Sequence, residues 1–181
     1  MDSRTPVESV GAVGQYLTFS LLGEEYAVRL LKVREILEYD TVTRVPKSPA
    51  WVRGAINLRG RVVPVVDLAV RFGEPPQQIS RRTCIVILDV DVEGTTTVVG
   101  VLVDSVSQVM DLRDDEIEPT PSFGTKVRPE ELLGVAPMGK KFALILDVDR
   151  VLSWSEPAVT PEVPVTDAAP AGETAPAEGR V

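Results

Sequence analysis

Three stretches of the chain share one pattern, in which a short apolar run ends in aspartate and continues into a half-apolar segment. They read "VVPVVDLAVRF", "VVGVLVDSVSQVM" and "FALILDVDRVL". β-branched side chains favour strands, and Asp67, Asp104 and Asp147 are placed to cap a short helix after each strand. The repetition predicts two similar β-rich units, and closure into small barrels would remove the exposed edges of such short strands.

The remaining segments fit the same mainly β interpretation. Alternating apolar residues predict a hairpin over 15–31, and a change to a three- and four-residue spacing then predicts a short helix over about 31–38. Pro64 cannot donate to a ladder, so its strand is expected at a sheet edge or a bulge. Besides the hairpin, strands are predicted at 54–58, 61–67, 83–90, 97–103 and 142–146, which include the three runs that end in aspartate.

The two ends of the chain differ in composition from its middle. Residues 1–13 lack periodicity and are expected to form a flexible arm. Residues 155–181 hold five prolines and carry a net charge of −4, and we expect a disordered tail there. The overall charge of −8 argues against a nucleic-acid partner, which would need clustered Lys and Arg.

The chain contains no histidine, which excludes histidine-based catalytic arrangements and the usual histidine metal sites. Its single cysteine, Cys84, sits in an apolar strand, where a thiol is usually a small hydrophobe. One cysteine allows no intrachain disulfide and favours a reducing compartment. We see no leader and no stretch long enough to enter a membrane, and so expect a cytoplasmic protein with no enzymatic activity, cofactor or metal.

Two motifs imitate ligand sites and fail on inspection. "GVAPMGKK" (134–141) has phosphate-loop spacing but lacks the Ser or Thr and the following helix. "DVDVEG" (89–94) opens like a calcium loop, but its twelfth position is Gly100. Both are interpreted as hairpin turns. The acidic residues Asp114, Asp115, Glu116 and Glu118 are interpreted as a solvated face. Trp51 and Tyr39 fit either a binding anchor or the core.

The segment "INLRGRVVPVVDL" (56–68) raises a question about Arg59. Local chemistry favours an exposed turn residue, with Gly60 accommodating the turn. The alternative is that Asn57 and Arg59, with apolar residues near Val33 and Ile36, border a groove between the two β units. Such a groove would suit an amphipathic helix from a partner.

The order of these features resembles the CheW family of chemotaxis coupling proteins. The likeness covers about residues 14–154 and is carried by the segments 15–73, 98–110 and 132–152. Its most specific part is the succession of "PKSPAW", "RGAINLRG" and "VPVVDL" between Pro46 and Leu68.

The resemblance implies a fold of two five-stranded Src-homology-type β-barrels packed around a shared hydrophobic centre, with a few short helices. The expected subdomains are roughly 14–67 plus the closing segment 148–154, and roughly 68–147. It also implies a non-enzymatic adaptor that joins the helical tips of chemoreceptors to a CheA-type histidine kinase and is recruited to receptor arrays.

Site residues are carried over from the family position by position. The expected receptor-binding residues are Val33, Glu35, Ile36, Asn57, Leu58 and Arg59, with Gly54 and Gly60 shaping the backbone. The expected kinase-binding surface lies near the strand containing Cys84 and Val86. The alternative function is a small β-barrel module that binds a small ligand, such as a purine nucleotide, between its two units.

Overall fold

The computed structural model describes residues 13–121 and 126–153. The predicted arm, apart from Val13, and the predicted tail lie outside the described residues. The strands are β1 Val13–Leu21, β2 Glu24–Arg29, β3 Val33–Glu38, β4 Val52–Leu58, β5 Arg61–Asp67, β6 Cys84–Val92, β7 Thr95–Val103, β8 Ser105–Arg113, β9 Leu132–Met138 and β10 Lys141–Leu146. The helices are α1 Leu68–Arg71 and α2 Val148–Val151, and 3-10 turns lie at Leu30–Lys32, Asp114–Glu116 and Pro129–Glu131.

The strands form two five-stranded sheets, which confirms the mainly β prediction. Sheet A has the order β8-β1-β2-β10-β9, and sheet B has the order β3-β6-β7-β5-β4. Within the described residues, the first and last strands of each sheet are not paired with each other. Isolated bridges instead join Thr43 to Ala55 of β4 and Glu118 to Val135 of β9. The predicted closed barrels are therefore not confirmed.

The chain runs through the same succession of five strands and a short helix twice, and the two repeats exchange hairpins. Sheet A takes β1 and β2 from the first repeat and β8, β9 and β10 from the second. Sheet B takes β6 and β7 from the second repeat and β3, β4 and β5 from the first. Two parallel pairings, β2 with β10 and β5 with β7, join the exchanged hairpins to their sheets.

This exchange corrects the predicted subdomains. A division into 14–67 plus 148–154 and 68–147 does not separate the sheets, because each predicted part contributes strands to both. The prediction grouped strands that follow one another in the chain. In the structure, the strands of the first hairpin pair with strands of the second repeat, β1 with β8 and β2 with β10.

Apolar side chains fill three layers. A central core between the sheets draws on both repeats. A smaller cluster covers the opposite face of each sheet, the face turned away from the central core. Along β6, Ile85 and Ile87 face the cluster of sheet B, whereas Val86 and Leu88 face the central core. Both faces of such strands are buried, which explains why their sequences are continuously apolar.

One prediction about strands and helices is wrong. The segment predicted as a helix over 31–38 forms the 3-10 turn Leu30–Lys32 followed by β3. A segment this short holds a helix poorly by itself, and pairing with the apolar strand β6 makes it a sheet edge. The strand with Pro64 is predicted at an edge or a bulge: β5 is not an edge, since it lies between β7 and β4, but its pairing with β4 shifts register between Val52 and Gly54, beside Pro64. Pairing with β7 begins only at Val65, so the missing donor of Pro64 interrupts no bond to that neighbour.

Two of the three predicted aspartate caps are confirmed. Asp67 accepts hydrogen bonds from the amides of Ala69 and Val70 at 3.0 and 3.5 Å, and Asp147 accepts one from the amide of Arg150 at 3.4 Å. Asp104 precedes a strand, β8, and not a helix. Its carboxylate instead accepts the amide of Leu22 at 2.8 Å, in the turn between β1 and β2.

The predicted turns are confirmed. "GVAPMGKK" spans the hairpin of β9 and β10, and "DVDVEG" spans the hairpin of β6 and β7. The acidic run forms the turn Asp114–Glu116, where Arg113 pairs with Asp115 and Glu116. Trp51 is half-buried against the central core and Tyr39 against the cluster of sheet B, which favours the core interpretation of both.

We expect the two capping aspartates to differ in their effect on stability. Asp67 is 1% exposed and also accepts Gln77 Nε2 at 2.8 Å and Arg53 Nη1 at 3.1 Å. Asp67→Ala leaves the buried donors of Gln77 and the half-buried guanidinium of Arg53 without this acceptor and should lower the free energy of unfolding by about 3 kcal/mol. Asp147→Ala removes a more exposed cap and should cost about 1 kcal/mol. Urea unfolding of both variants checks this, and equal losses would contradict it.

A second prediction concerns Gly134 at the start of β9. Its φ is +153°, and an added Cβ would lie 2.7 Å from the carbonyl oxygen of Glu118. Gly94, with φ of +81°, has open space around it and serves as the control. Because both substitutions meet an unfavourable φ and only one meets backbone, Gly134→Ala should cost at least about 2 kcal/mol more than Gly94→Ala. Similar melting temperatures for the two variants would contradict this prediction.

Candidate partner-binding site

The predicted receptor-binding residues lie on the two outer strands of sheet B, β3 and β4, and on the turn between β4 and β5. That turn consists of Arg59 and Gly60, with φ of 51° and 83°. Asn57 supports it, because its Oδ1 accepts the amide of Gly60 at 2.9 Å. Asn57 and Gly60 therefore shape the turn that presents Arg59.

Arginine is an unusual residue for this position. A two-residue hairpin turn with two positive φ angles favours Asn, Asp or Gly at its first position, since a left-handed conformation costs other residues about 1–2 kcal/mol. In the turn between β9 and β10 the matching position is Gly139, with φ of +61°, whereas the turns before Gly23 and Gly94 hold Leu22 and Glu93 with φ of 54° and 49°. The turn therefore accepts several residue types and does not itself select arginine.

The side chain of Arg59 contacts Glu35 of β3. Nη1 lies 3.1 Å from Oε1, and Nη2 donates to Oε2 at 3.2 Å. Oε1 is buried and lacks an aligned hydrogen bond, so only the Oε2 contact has good geometry. The arginine side chain remains 77% exposed, against 21% for the glutamate. An exposed pair of this kind contributes about 0–1 kcal/mol to stability, so its main effect is to orient the guanidinium.

This ion pair crosses the open side of sheet B. β3 and β4 lie at opposite ends of the strand order, and residues of the connecting segment meet β4 only through the bridge between Thr43 and Ala55. Glu35 and Arg59 form a second link across the same gap. The predicted residues of β3 and of the turn are thereby brought into one site.

The predicted residues differ in how much surface they offer. Ile36, Asn57, Arg59 and Gly60 are exposed, whereas Val33 and Leu58 are half-buried against apolar clusters. Sequence reasoning missed Val62, which is 52% exposed and lies opposite Asn57 in the pairing of β4 with β5. The alternation of β5 could have revealed it, because Val63 and Val65 face the core.

Gly54 acts on this site through the backbone. It is buried, its φ is +154°, and an added Cβ would lie 2.2 Å from the carbonyl oxygen of Thr43. Thr43 and Ala55 exchange backbone hydrogen bonds at 2.8 and 2.9 Å directly beside it. Glycine at this position therefore lets the connecting segment lie against β4.

The two predicted kinase-binding residues differ in burial. Val86 is 1% exposed and belongs to the central core, so the prediction that it offers a surface contact is wrong. The prediction assigned Val86 to an outward face of β6, whereas its side chain points into the core between the sheets. Cys84 is half-buried, and its Sγ donates to the carbonyl oxygen of Arg82 at 3.3 Å. Burial raises the pKa of the Cys84 thiol, which disfavours the reactive thiolate.

The strands with the two predicted surfaces are direct neighbours. β3 pairs antiparallel with β6, so that Ile36 lies opposite Val86 and Glu38 lies opposite Cys84. The pairs from Glu35 to Glu38 form an unbroken ladder that joins the two strands. Sequence spacing alone, some fifty residues between the strands, gives no sign of this contact.

Among the described residues, the central cavity between the sheets is too small for a small ligand. The central cavity has a volume of about 10 Å³ and is lined by apolar side chains such as Phe19, Leu68 and Leu146. Ligand sites usually measure about 300–1,000 Å³, so the alternative of a nucleotide-binding module is not supported. Residues 13–121 and 126–153 contain no group of carboxylates or thiols that could hold a metal ion. No helix in these ranges is long and apolar enough to cross a membrane.

Comparison with known proteins agrees with this architecture. A model of the CheW-like domain family matches residues 15–156. The chain is 35% identical to the chemotaxis protein CheW of Klebsiella aerogenes, over 89% of this chain and 93% of that protein, and 32% identical to CheW of Bacillus subtilis, over 75% and 85%. The crystal structure of the scaffolding protein TtCheW from Thermoanaerobacter tengcongensis matches with a TM-score of 0.70 and 28% identity, over 82% and 93% of the two chains. The chain therefore belongs to the CheW family.

Proposed function

We propose that this chain is a non-enzymatic chemotaxis scaffold that couples chemoreceptors to a CheA-type histidine kinase. The observation that carries the proposal is the side chain of Arg59, which is 77% exposed at the tip of the turn and is oriented by its ion pair with Glu35. A scaffold needs no catalytic group, and its chemistry resides in such contacts.

The receptor partner in this proposal is the helical tip of the receptor. An amphipathic helix binds through apolar anchors, with charges that fix its register. Ile36 and Val62 offer exposed apolar surface, and Arg59 offers the charge. A carboxylate of the receptor helix would compete with Glu35 for the guanidinium, so binding would exchange one weak exposed pair for another.

The kinase partner would bind near the outer end of β6, around Cys84 and the neighbouring residue Glu38 of β3. Both sites would then share the ladder of β3 with β6. A shift of β3 on receptor binding would move the strand that borders the kinase contact. Coupling by this route requires no large conformational change.

We place the protein in the cytoplasm, recruited to receptor arrays. Each contact involves little exposed apolar surface and would be weak in isolation. Repetition of the contacts within an array raises the effective concentration and with it the overall affinity.

Arg59→Ala should separate signalling from folding. Loss of the exposed pair should change the free energy of unfolding by no more than about 1 kcal/mol, while receptor-dependent control of the kinase should be lost. Arg61→Ala, which removes the exposed cation at the other end of the same turn, is the matched control and should retain control of the kinase. Kinase activity in a reconstituted complex of receptor, CheA and this protein measures both variants. Full control by folded Arg59→Ala protein would overturn the assignment.

Exchange of the two charges tests the role of Arg59 more sharply. The double variant Glu35→Arg with Arg59→Glu keeps an ion pair across the gap but reverses its polarity. If Arg59 contacts the receptor, the double variant should remain folded and fail to bind receptor in co-sedimentation. Binding at the wild-type level would show that the pair serves only to link β3 to the turn.

A further inference from the structure

The segment between β3 and β4 forms a cationic cleft. The cleft has a volume of about 410 Å³ and is lined by residues 44–50 and by the start of β4. Its charged lining residues are Arg44, Lys47 and Arg53, and its lining contains no carboxylate. A concave surface with charge of one sign attracts a segment of the opposite sign.

Two of these three cations are available. Arg53 is already engaged, since its Nη1 lies 3.1 Å from Asp67 Oδ2 and donates to the carbonyl oxygen of Gln77 at 3.2 Å. Arg44 and Lys47 are exposed and form no ion pair with any carboxylate of the described residues. The rim of the cleft therefore carries two positive charges without a counter-charge in this part of the chain.

The chain itself supplies a segment of opposite charge. Residues 155–181 carry five acids and one base, and Glu156 and Glu162 lie in the first part, among three prolines. Proline-rich segments are extended before they bind, so ordering them costs less conformational entropy. This composition is complementary to a cleft that combines two cations with Val45, Pro46 and Pro49.

The acidic segment begins close in sequence to the described fold. Glu156 lies three residues and Glu162 nine residues beyond the last described residue, Ser153.

We propose that the acidic, proline-rich segment 155–181 docks on its own domain, in the cleft lined by Arg44 and Lys47, through Glu156 and Glu162. Glu162 lies nine residues beyond Ser153, a span of up to about 28 Å in an extended proline-rich chain. The contact is electrostatic and exposed, so it is weak and sensitive to salt. It is separate from the receptor contact proposed above, because the cleft and the turn of Arg59 lie at opposite ends of β4.

NMR spectroscopy of the full-length, ¹⁵N-labelled protein tests this proposal. Glu156→Gln with Glu162→Gln should shift the amide resonances of residues 44–53. Glu173→Gln with Glu178→Gln makes the same change of charge farther along the segment and should leave them in place. Raising NaCl from about 0.05 M to about 0.5 M should remove the difference between wild type and the first variant. Unshifted resonances at 44–53, or equal shifts in both variants, would overturn the proposal.

The cleft side is tested in the same protein. Arg44→Ala with Lys47→Ala should lower the heteronuclear NOE values of residues 155–165, because the segment loses its contact. Arg81→Ala with Arg82→Ala removes two other exposed cations and should leave the NOE values unchanged. A fall in both variants would indicate general attraction to the surface and would contradict docking in the cleft.

Discussion

The structure depends on the strand pairings that join the two repeats: β1 with β8 and β3 with β6, which are antiparallel, and β2 with β10 and β5 with β7, which are parallel. The parallel pairings are only three residues long, and together the four pairings attach the hairpins of one repeat to the strands of the other. Because of this exchange, neither repeat contains a complete sheet. The central core is assembled from both repeats, so the two sheets should fold and unfold as one unit. The rigid position of β3 and β6, on which the proposed coupling relies, follows from this interlocking.

The candidate site is a consequence of incomplete closure. Sheet B ends in two outer strands, and the chain links them by a backbone bridge at Thr43 and by the pair of Glu35 with Arg59. The first link requires Gly54, since a side chain there would collide with Thr43. The second link is exposed and weak. Structural demands thus concentrate on Gly54, whereas the side chain of Arg59 stays 77% exposed.

Local features of the fold could be predicted from the sequence, and non-local pairings could not. Asp67 and Asp147 follow apolar strands and cap helices as expected, because capping depends on neighbouring residues. Asp104 has the same local pattern, but the segment after it pairs with β1, and this long-range pairing replaces the helix. β3 departs from its helical spacing for the same reason. The sequence could not show that Val86 points into the central core, because both faces of β6 are buried and both are apolar.

The central claim is that Arg59 is held for a partner and contributes little to the fold. A double-mutant cycle of Glu35→Ala and Arg59→Ala, measured by urea unfolding of the free protein, tests it most directly. The account predicts a coupling free energy below about 1 kcal/mol between the two side chains. A coupling of about 2 kcal/mol or more would mean that the pair closes sheet B for stability, and would contradict the account.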